Sequence, residues 1–474
     1  MEEKEADHSP DVTSKASISS AENAPPTLEC PPNKIDEKAL LRKIDLRVIP
    51  ILFLLYLAAF LDRVNIANAL TLRLPQDLHL KGNESNVALT IFFVPYVLFE
   101  IPSNVLLKRF KPHVWLSACI LAFGIVMLCQ GFVQSYRGLL ATRFFLGLAE
   151  AGVFPGCFYL ISFWYKREES QRRFTVFWSS VLFASMFGGL LASAIANMHG
   201  VRGYSSWRWI FILEGIATIV IGIGAYFLVA DFPADARWLS AEEKEFVIAR
   251  TETDERAASP ITVRKVVSFF GDVKNVIGGF MYFAVIVPIY SYSYFAPTIV
   301  KTLGYSTVET QLHTVPPAAA ALALCLILAY LSDRLRLRFP FIFLGFLLTT
   351  AGLAILLTTH RGFHVRYLGI CLVAMGCFSA GPIIVCWYVM NLTGHTDRSI
   401  GSAWMIGFGN TGGFVATFCF LAKDAPFYHI GYSICMGATC LGALAVVLYA
   451  GLVILENNGA RKRDGKERAK KLYL

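Results

Sequence analysis

Residues 46–70 read LRVIPILFLLYLAAFLDRVNIANAL, an apolar run that is interrupted by Asp62 and Arg63. At a rise of about 1.5 Å per residue, a helix of roughly 20 residues crosses a hydrocarbon core of roughly 30 Å. Runs of this length recur from Ile44 almost to the C-terminus. The pattern predicts a helical membrane protein, because the core helices of soluble proteins are usually shorter.

The composition excludes an ordinary soluble globular protein. Of the 474 residues, 55% are hydrophobic and 16% are charged, and the mean hydropathy is +0.53, so the chain needs lipid as solvent. The net charge of +9 does not indicate a nucleic-acid partner, since the basic residues lie in short loops and a C-terminal tail. The eleven cysteines include no CxxC pair. We interpret them as small hydrophobic residues and not as a metal site.

Apolar windows between polar breaks predict twelve spanning helices. One long polar connection divides them into six and six, so we expect an all-α membrane protein built from two six-helix bundles, 46–229 and 273–456. A disordered cytoplasmic N-terminal tail (1–45), a central cytoplasmic loop (230–272) and a basic cytoplasmic tail (457–474) complete the predicted domains. The spans lie near 46–70, 86–107, 114–133, 138–163, 174–197, 207–229, 273–296, 308–331, 339–358, 367–390, 400–421 and 428–455.

The basic residues predict the orientation in the membrane. Lysines and arginines are denser in the loops and tail on the side of both termini than on the opposite side. Both termini are therefore expected in the cytoplasm, in a multi-pass protein of the plasma membrane. The opposite side then carries the sequence Asn83-Glu84-Ser85, which predicts glycosylation at Asn83.

Two basic turns indicate an internal repeat. Residues 108–111 (KRFK) follow the second span, and residues 332–336 (SDRLR) follow the eighth. Paired turns favour a duplicated six-helix unit with a substrate cavity between the units, near the membrane midplane. Ordinary positive-inside charge in both loops explains the same pattern, and the sequence leaves this alternative open.

Ionisable residues inside the spans are concentrated in the first half. Asp62 and Arg63 are adjacent in the first span, while Arg143 and Glu150 are seven residues apart in the fourth. Seven residues are nearly two helical turns, so both side chains of the fourth span share one face. Because buried charges must avoid lipid, we expect these four residues to form one network inside the bundle.

Such a network can couple proton binding to anion binding. Burial favours the protonated form of a carboxyl group, whereas an adjacent arginine favours the ionised form. An arginine that moves onto a substrate anion therefore raises the proton affinity of the acid that it leaves. Asp62 and Glu150 are the predicted proton-coupling residues, and Arg63 and Arg143 the predicted anion contacts. Static ion pairs that only hold the helices together are the alternative.

The remaining charges in the spans have weaker interpretations. Glu100 lies toward the cytoplasmic end of the second span and is expected to pair with Arg172, Arg173 or helix termini in a gate. Glu214 is expected to be structural, and His313 to lie at the edge of a loop.

The second half contributes neutral polar groups and aromatic rings. Tyr290, Trp387 and Asn410 are predicted to contact substrate, although packing is the commoner role of an aromatic residue. Asn410 is a midplane amide among glycines, so substrate binding and close helix packing are equally open for it.

Several ordered segments resemble those of a known family. Residues 143–156 (RFFLGLAEAGVFPG), followed by 162–165 (SFWY), closely resemble the span-four signature of the anion:cation symporter family within the major facilitator superfamily. Within that family, the fungal allantoate permease-like branch is the most similar. The resemblance extends over nearly all of residues 40–455, with further matches at 62–65, 99–104, 207–211, 332–334 and 409–413.

The resemblance implies a two-bundle fold that works by alternating access, usually as a proton symporter for organic anions. Matched by motif, Asp62 and Glu150 resemble the proton-binding acids of the family, and Arg63 and Arg143 resemble their partners or anion contacts. Tyr96 resembles a substrate-facing position, as does Asn410.

The predicted gating residues are Glu100, Arg109, Asp333 and Arg334. The turn after the second span departs from the superfamily motif, because Asn104 and Lys108 stand where Gly and Asp are usual.

We therefore expect a secondary active transporter that imports a small organic anion (a carboxylate, ureide or vitamin acid), is driven by the proton gradient, needs no cofactor and functions as a monomer in the lipid bilayer. An enzyme is not expected, since no nucleophile–base pair or metal cluster lies in a plausible site. An exporter of a secondary metabolite and a nutrient sensor that binds without transport are the alternatives.

Overall fold

The structure is a computed structural model that describes residues 35–252, 262–359, 362–392 and 395–468. Three predicted regions lie partly outside the described residues: the N-terminal tail (1–34), the central loop (253–261) and the C-terminal tail (469–474). The described chain is helical in the following segments: α1 (Glu37–Thr71), α2 (Leu74–Asp77), α3 (Glu84–Arg109), α4 (Pro112–Gln130), α5 (Tyr136–Glu150), α6 (Val153–Trp164), α7 (Arg167–Ala196), α8 (Ser206–Leu228), α9 (Ala241–Glu252), α10 (Val263–Phe270), α11 (Val273–Lys301), α12 (Thr307–Leu312), α13 (Val315–Leu335), α14 (Phe339–Thr358), α15 (Phe363–Asn391), α16 (His395–Asn410), α17 (Gly412–Cys419) and α18 (His429–Arg468).

Local sequence signals determine where several helices begin. Asp36 accepts hydrogen bonds from the backbone N–H groups at the start of α1, and Asp272 does the same for α11. Ser306 and Glu309 form a reciprocal capping box at the start of α12. These caps satisfy N–H groups that have no partner inside the helix, so they fix the ends of the helices.

Ten helical segments of the described chain are long and apolar enough to cross a membrane. The predicted second span coincides with α3, and the predicted eleventh span coincides with α16 and α17 together. The predicted all-α membrane fold is therefore confirmed. The predicted limits of the domains remain a prediction.

The helices form two bundles. In the first bundle, α1 packs against α7 and α8, α4 packs against α8, and α3 packs against α5. In the second bundle, α14 packs against α15 and α18, and α11 packs against α15, α16, α17 and α18. The bundles meet where α1 contacts α11, where α3 contacts α16 and α17, and where α7 contacts α12, α13 and α15. The centre of this interface is where both halves can contribute to a site.

One glycine sets how closely α5 approaches α3. A Cβ atom on Gly147 would collide with the backbone carbonyl of Phe92. Because Gly147 lies between Arg143 and Glu150 on α5, this close approach brings both charged residues against the interior of the bundle.

Hydrogen bonds join the two bundles at the face of the protein that carries Asn83, here called the Asn83 face. Asn86 Nδ2 of α3 donates to the carbonyl oxygens of Thr417 (2.6 Å) and Phe420 (3.3 Å). The hydroxyl groups of Thr90 and Thr417 are 2.7 Å apart. In this conformation the Asn83 face is thus closed by direct contacts between the bundles.

Candidate functional site

The candidate site lies where two spanning helices are interrupted. Glu150 is the last residue of α5, and α6 resumes at Val153. Asn410 is the last residue of α16, and α17 resumes at Gly412. Interrupted helices are common at transporter binding sites, because their free backbone groups and adjacent side chains can contact a ligand.

Arg63 of α1 is the centre of the site. Its side chain is fully buried and forms an ion pair with Glu150 of α5, in which Arg63 Nε donates to Glu150 Oε1 at 3.0 Å. The Arg63 guanidinium also lies over four aromatic rings, with centroid distances of 4.7 Å to Tyr96, 5.1 Å to Phe92, 5.6 Å to Tyr290 and 5.7 Å to Phe60. Ion pairing and cation–π contacts together offset part of the cost of removing this cation from water.

A chain of polar contacts runs from Arg63 into the second bundle. Arg63 Nη1 donates to the phenol oxygen of Tyr290 on α11. The Tyr290 hydroxyl donates to Asn410 Oδ1 at 3.4 Å, and Asn410 Nδ2 donates to Glu100 Oε2 of α3 at 3.3 Å. The chain links two carboxyl groups of the first bundle, Glu150 and Glu100, through residues of the second. A change at either carboxyl group therefore acts on the interface between the bundles.

Arg143 is buried beside this chain of polar contacts, and its guanidinium group has few hydrogen-bond acceptors. Its side chain is 1% exposed, and Nη1 donates to the carbonyl oxygen of Arg63 at 3.4 Å. In the part of the chain that the structure describes, Nε and Nη2 have no hydrogen-bond partner. An arginine offers five N–H donors, and leaving them unsatisfied in a buried site costs several kcal/mol. Both nitrogens therefore lack an acceptor in this conformation.

Asp62 does not join the Arg63–Glu150 pair. Its Oδ2 accepts from the hydroxyl group of Thr218 on α8 at 3.0 Å, so it faces a different helix from Arg63. The expected network of all four charged residues is therefore only partly present: Arg63, Glu150 and Arg143 are in contact, and Asp62 lies on the α8 side of α1.

A narrow cavity lies beside the polar chain, and in this conformation it has room for about one water molecule. Its wall is mainly aromatic, with both bundles contributing. The lining includes Tyr56, Phe60 and Tyr96 from the first bundle and Tyr282, Tyr290 and Asn410 from the second. Tyr56 and Tyr282 were not among the predicted site residues, because single tyrosines within apolar runs are most often packing residues.

The structure brings Tyr96, Tyr290 and Asn410 to the cavity, but it packs Trp387 within the second bundle, where its ring lies 4.6 Å from that of Tyr449. The expected pairing of Glu100 with Arg172 or Arg173 is wrong. Glu100 is buried beside Asn410, and Arg173 Nε instead donates to Asp45 at 2.6 Å.

The predicted gating residues Asp333 and Arg334 lie in the last turn of α13, and Asp333 pairs with a different arginine from Arg334. Asp333 pairs with Arg338 at 2.7 Å, and Arg338 Nη1 also donates to Ser332 at 2.8 Å. Arg334 is exposed, as are Arg109 after the second span and Asn83 in the first loop. Sequence reasoning missed Arg338, although its spacing of five residues from Asp333 across a turn is compatible with pairing.

The site contains groups that can bind an anion or carry a proton. Across the described ranges, no group of three or more His, Cys, Asp or Glu side chains could hold a metal ion. Two helical bundles that share a buried polar site at their interface define a class of protein, the secondary transporters, whose site can be exposed to either side of the membrane in turn.

Comparison with known proteins identifies the family. The model of the Major Facilitator Superfamily matches residues 52–417, and the chain belongs to this superfamily. It is 33% identical to the MFS-type transporter cnsO of Penicillium expansum, covering 93% of this chain and 88% of that protein. It is 31% identical to a putative tartrate transporter of Agrobacterium vitis, covering 80% and 87%.

Solved structures support the same fold. A crystal structure of a D-xylose-proton symporter matches with a TM-score of 0.66 at 19% identity, covering 86% of this chain and 97% of that one. The predictions of a secondary transporter, and of a protein that is not an enzyme, are confirmed.

Proposed function

We propose that this protein is a proton-coupled symporter of a small organic anion, as expected for the anion:cation symporter family and its fungal allantoate permease-like branch. The observation that carries the proposal is the buried Arg143, whose Nε and Nη2 have no partner in the described chain, beside the Arg63–Glu150 ion pair. A carboxylate of the substrate supplies the acceptors that Arg143 lacks.

Coupling follows from competition for Arg63. While Arg63 holds Glu150, the ionised carboxylate is stabilised by its partner. A substrate anion that draws Arg63 away leaves Glu150 buried without a cation, and a buried carboxyl group in that situation favours its protonated form. Anion binding and proton binding then assist each other, and this linkage is reciprocal.

The walls of the cavity favour a small acid with a flat or partly apolar body. Tyr56, Tyr96 and Tyr282 line the cavity, and tyrosines supply both aromatic surface and hydroxyl groups, a combination that suits carboxylates, ureides and vitamin acids. The relative that is described as a putative tartrate transporter supports a small carboxylate. We propose import across the plasma membrane by a monomer with both termini in the cytoplasm.

The test is uptake by the purified protein in proteoliposomes with an imposed pH gradient. Radiolabelled tartrate, nicotinate, allantoate and pantothenate serve as probes. Wild-type protein should accumulate at least one of them only when the gradient is present. Glu150→Gln should abolish accumulation, because it removes the proton acceptor, and should leave substrate exchange without a gradient close to that of wild type.

The matched control is Glu245→Gln, which makes the same chemical change on an exposed residue of α9 and should behave as wild type. Undiminished gradient-driven accumulation by Glu150→Gln would rule out its role in coupling. Failure of the wild-type protein to move any organic anion, together with transport of neutral solutes, would rule out the proposed substrate class.

A further inference from the structure

Four polar residues lie between α1 and α8, away from the Arg63–Glu150 pair. They are Asp62 and Asn65 of α1 and Glu214 and Thr218 of α8, here called the α1–α8 quartet. Thr218 donates to Asp62 Oδ2 at 3.0 Å, and Asn65 Nδ2 donates to Glu214 Oε2. Each carboxyl group thus receives one neutral donor from the opposite helix.

The two contacts are a consequence of helix geometry. Asp62 and Asn65 are three residues apart, and Glu214 and Thr218 are four apart, so each pair occupies one face of its helix. Asp62, the earlier residue on α1, contacts Thr218, the later residue on α8, and Asn65 contacts Glu214. This crossed arrangement is expected for antiparallel neighbouring helices. The geometry therefore places both acids in one polar patch.

Each of the two acids has one carboxyl oxygen without a hydrogen-bond partner among the described residues, here called its bare oxygen. Asp62 is 1% exposed and Glu214 is 5% exposed. Asp62 Oδ1 and Glu214 Oε1 are buried and have no hydrogen-bond partner among the described residues. Glu214 is also among the groups that interact electrostatically with Asp62.

Few charged groups face the quartet from neighbouring helices. The charged residues of α5 that face the quartet are Arg143 and Glu150, and both interact electrostatically with Asp62. Glu150 is itself paired with Arg63. Helix α6 has no charged residue, and α4 has only His113 near its start. The charged residues of α7 lie within its first seven residues, and those of α11 are Lys274 and Lys301 near its two ends. The neutral donors Asn65 and Thr218 remain the direct partners of the two acids.

Two ionised carboxylates in such a patch would repel each other without a bound cation to compensate them. Burying one unpaired carboxylate already costs several kcal/mol, and a second like charge adds to that cost. A proton removes one of the charges, and the protonated group can donate a hydrogen bond to a bare oxygen. Coupled acids of this kind bind protons as a pair, not as two independent sites.

We propose that the α1–α8 quartet holds one exchangeable proton, shared by Asp62 and Glu214, at a site separate from the Arg63–Glu150 pair. The inference rests on the proposed proton coupling, for which the sequence predicts Asp62 as a second acid besides Glu150. It adds Glu214, for which the sequence indicated only a structural role, as the second half of that proton site.

The consequence for transport is a second proton position on the same helix as Arg63. Because Asp62 and Arg63 are adjacent on α1, a rotation of α1 that withdraws Asp62 from Thr218 also moves Arg63 relative to Glu150. Proton exchange at the quartet is thereby linked to rearrangement at the anion site.

The test counts carboxyl groups by infrared difference spectroscopy of the full-length protein in lipid at neutral pH. The comparison is wild type with the double variant Asp62→Asn, Glu214→Gln. A shared proton predicts the loss of one carboxylic-acid band and one carboxylate band. The loss of two acid bands would mean two independent protons, and the loss of two carboxylate bands would mean no proton; either result overturns the proposal.

Three controls complete the experiment. Glu245→Gln, at an exposed position, calibrates the signal of one ionised carboxylate. The spectra are recorded in sodium chloride and in choline chloride. An acid band that is present in choline chloride and absent in sodium chloride would show that the quartet binds a monovalent cation, and this result would overturn the proposal of a shared proton. If the double variant does not fold, the exchange Asp62→Glu, Glu214→Asp keeps both carboxyl groups, and one acid band and one carboxylate band must change frequency.

The outcome is independent of the transport assay. The same band losses are expected in the Glu150→Gln background, since the two sites are separate. If Glu150→Gln accumulates substrate normally, the proposed coupling fails while the band count still decides whether the quartet holds a proton.

Discussion

Arg63 and Arg143 are both fully enclosed arginines, but their surroundings differ. Arg63 has a carboxylate, a phenol oxygen and four aromatic rings as partners. Arg143 has one long contact to a carbonyl oxygen and two nitrogens without a partner in the described chain. This difference suits a division of roles in which Arg63 exchanges Glu150 for the substrate anion and Arg143 holds the same anion with its unpaired nitrogens.

Substitution of Arg143 tests this division. Arg143→Ala should weaken substrate binding by at least about tenfold, or about 1.4 kcal/mol, because a charge-assisted hydrogen bond to a carboxylate is lost. Arg143→Lys should recover only part of that loss, since an ammonium group cannot reproduce the planar fork of a guanidinium. The measurement is the concentration dependence of exchange in proteoliposomes.

The control for Arg143 lies on the same helix. Arg137 is exposed near the start of α5, and Arg137→Lys should leave the apparent affinity unchanged. Wild-type affinity in Arg143→Ala would show that Arg143 only stabilises the fold.

The partners of individual charged residues were only partly predictable. The sequence predicted that Arg143 and Glu150 share a face, and both are buried in α5 as expected. It also grouped Asp62 with Arg63, but successive residues of a helix point about 100° apart. Asp62 consequently faces α8 while Arg63 faces α5, a distinction that depends on how α1 is rotated between its neighbours.

At the scale of elements, the interruptions of α5–α6 and α16–α17 are the features that matter for the site. A window of apolar residues predicts one continuous span in each case, since hydropathy is insensitive to a break of one or two residues. The glycines around Asn410 have low helix propensity, which favours an interruption at that position. Only the tertiary structure shows that each break lies beside the polar chain that runs from Arg63 to Glu100.

The carboxyl group of Asp77 attaches the short helix α2 to the start of α8. Trp207 Nε1 donates to Asp77 Oδ2 at 2.7 Å. Burial raises the pKa of Asp77, but hydrogen bonds from Ser205 and Trp207 and the charges of Arg73 and Arg208 outweigh burial, so the pKa lies below its ordinary value. The ionised form of Asp77 therefore stabilises the attachment of α2.

This attachment should depend on pH. A group with a lowered pKa contributes stability above its unfolded pKa, about 3.9 for Asp, and loses it as the pH falls through the folded value. Asp77→Asn should lower the free energy of unfolding by about 0.5–1 kcal/mol at neutral pH, because solvent screens this partly exposed group. The difference should vanish at a pH well below the ordinary Asp pKa of about 3.9, as measured by thermal unfolding in detergent monitored by tryptophan fluorescence.

Glu245→Gln is the control, since it changes an exposed carboxyl group elsewhere and should show no such pH dependence. A stability difference between wild type and Asp77→Asn that is the same at both pH values would contradict the assigned role of the Asp77 charge.

At the scale of the whole molecule, the two bundles are joined at the Asn83 face and at the centre. Besides the bonds of Asn86 and Thr90, Gln311 Nε2 of α12 donates to Thr71 Oγ1 of α1 at 2.8 Å, and Lys301 donates to the carbonyl oxygen of Thr71 at 3.3 Å. Alternating access requires these contacts to separate when the site opens toward the Asn83 face.

A cross-link at this face should stop transport. The hydroxyl oxygens of Thr90 and Thr417 are 2.7 Å apart, so sulfur atoms in their places are close enough for a disulfide bond. The variant Thr90→Cys, Thr417→Cys should lose nearly all substrate exchange after oxidation and regain it after reduction. Exchange in proteoliposomes and mass spectrometry of the bond are the measurements.

Each single cysteine variant is a control and should keep its activity under oxidising conditions. Wild-type exchange by the double variant, with the disulfide bond shown to be present, would mean that the Asn83 face does not need to open.

The sequence by itself determined that this chain is a helical membrane protein with charged residues in the spans of its first half. Span length, apolar composition and the spacing of Arg143 and Glu150 are properties of one segment at a time, and the hydrophobic effect acts on each segment separately. The tertiary structure alone decided that Glu100 joins Asn410, that Asp62 joins the α1–α8 quartet, and that Trp387 packs inside the second bundle. These partners belong to different helices, and only the rotation and packing of those helices against one another bring particular side chains into contact.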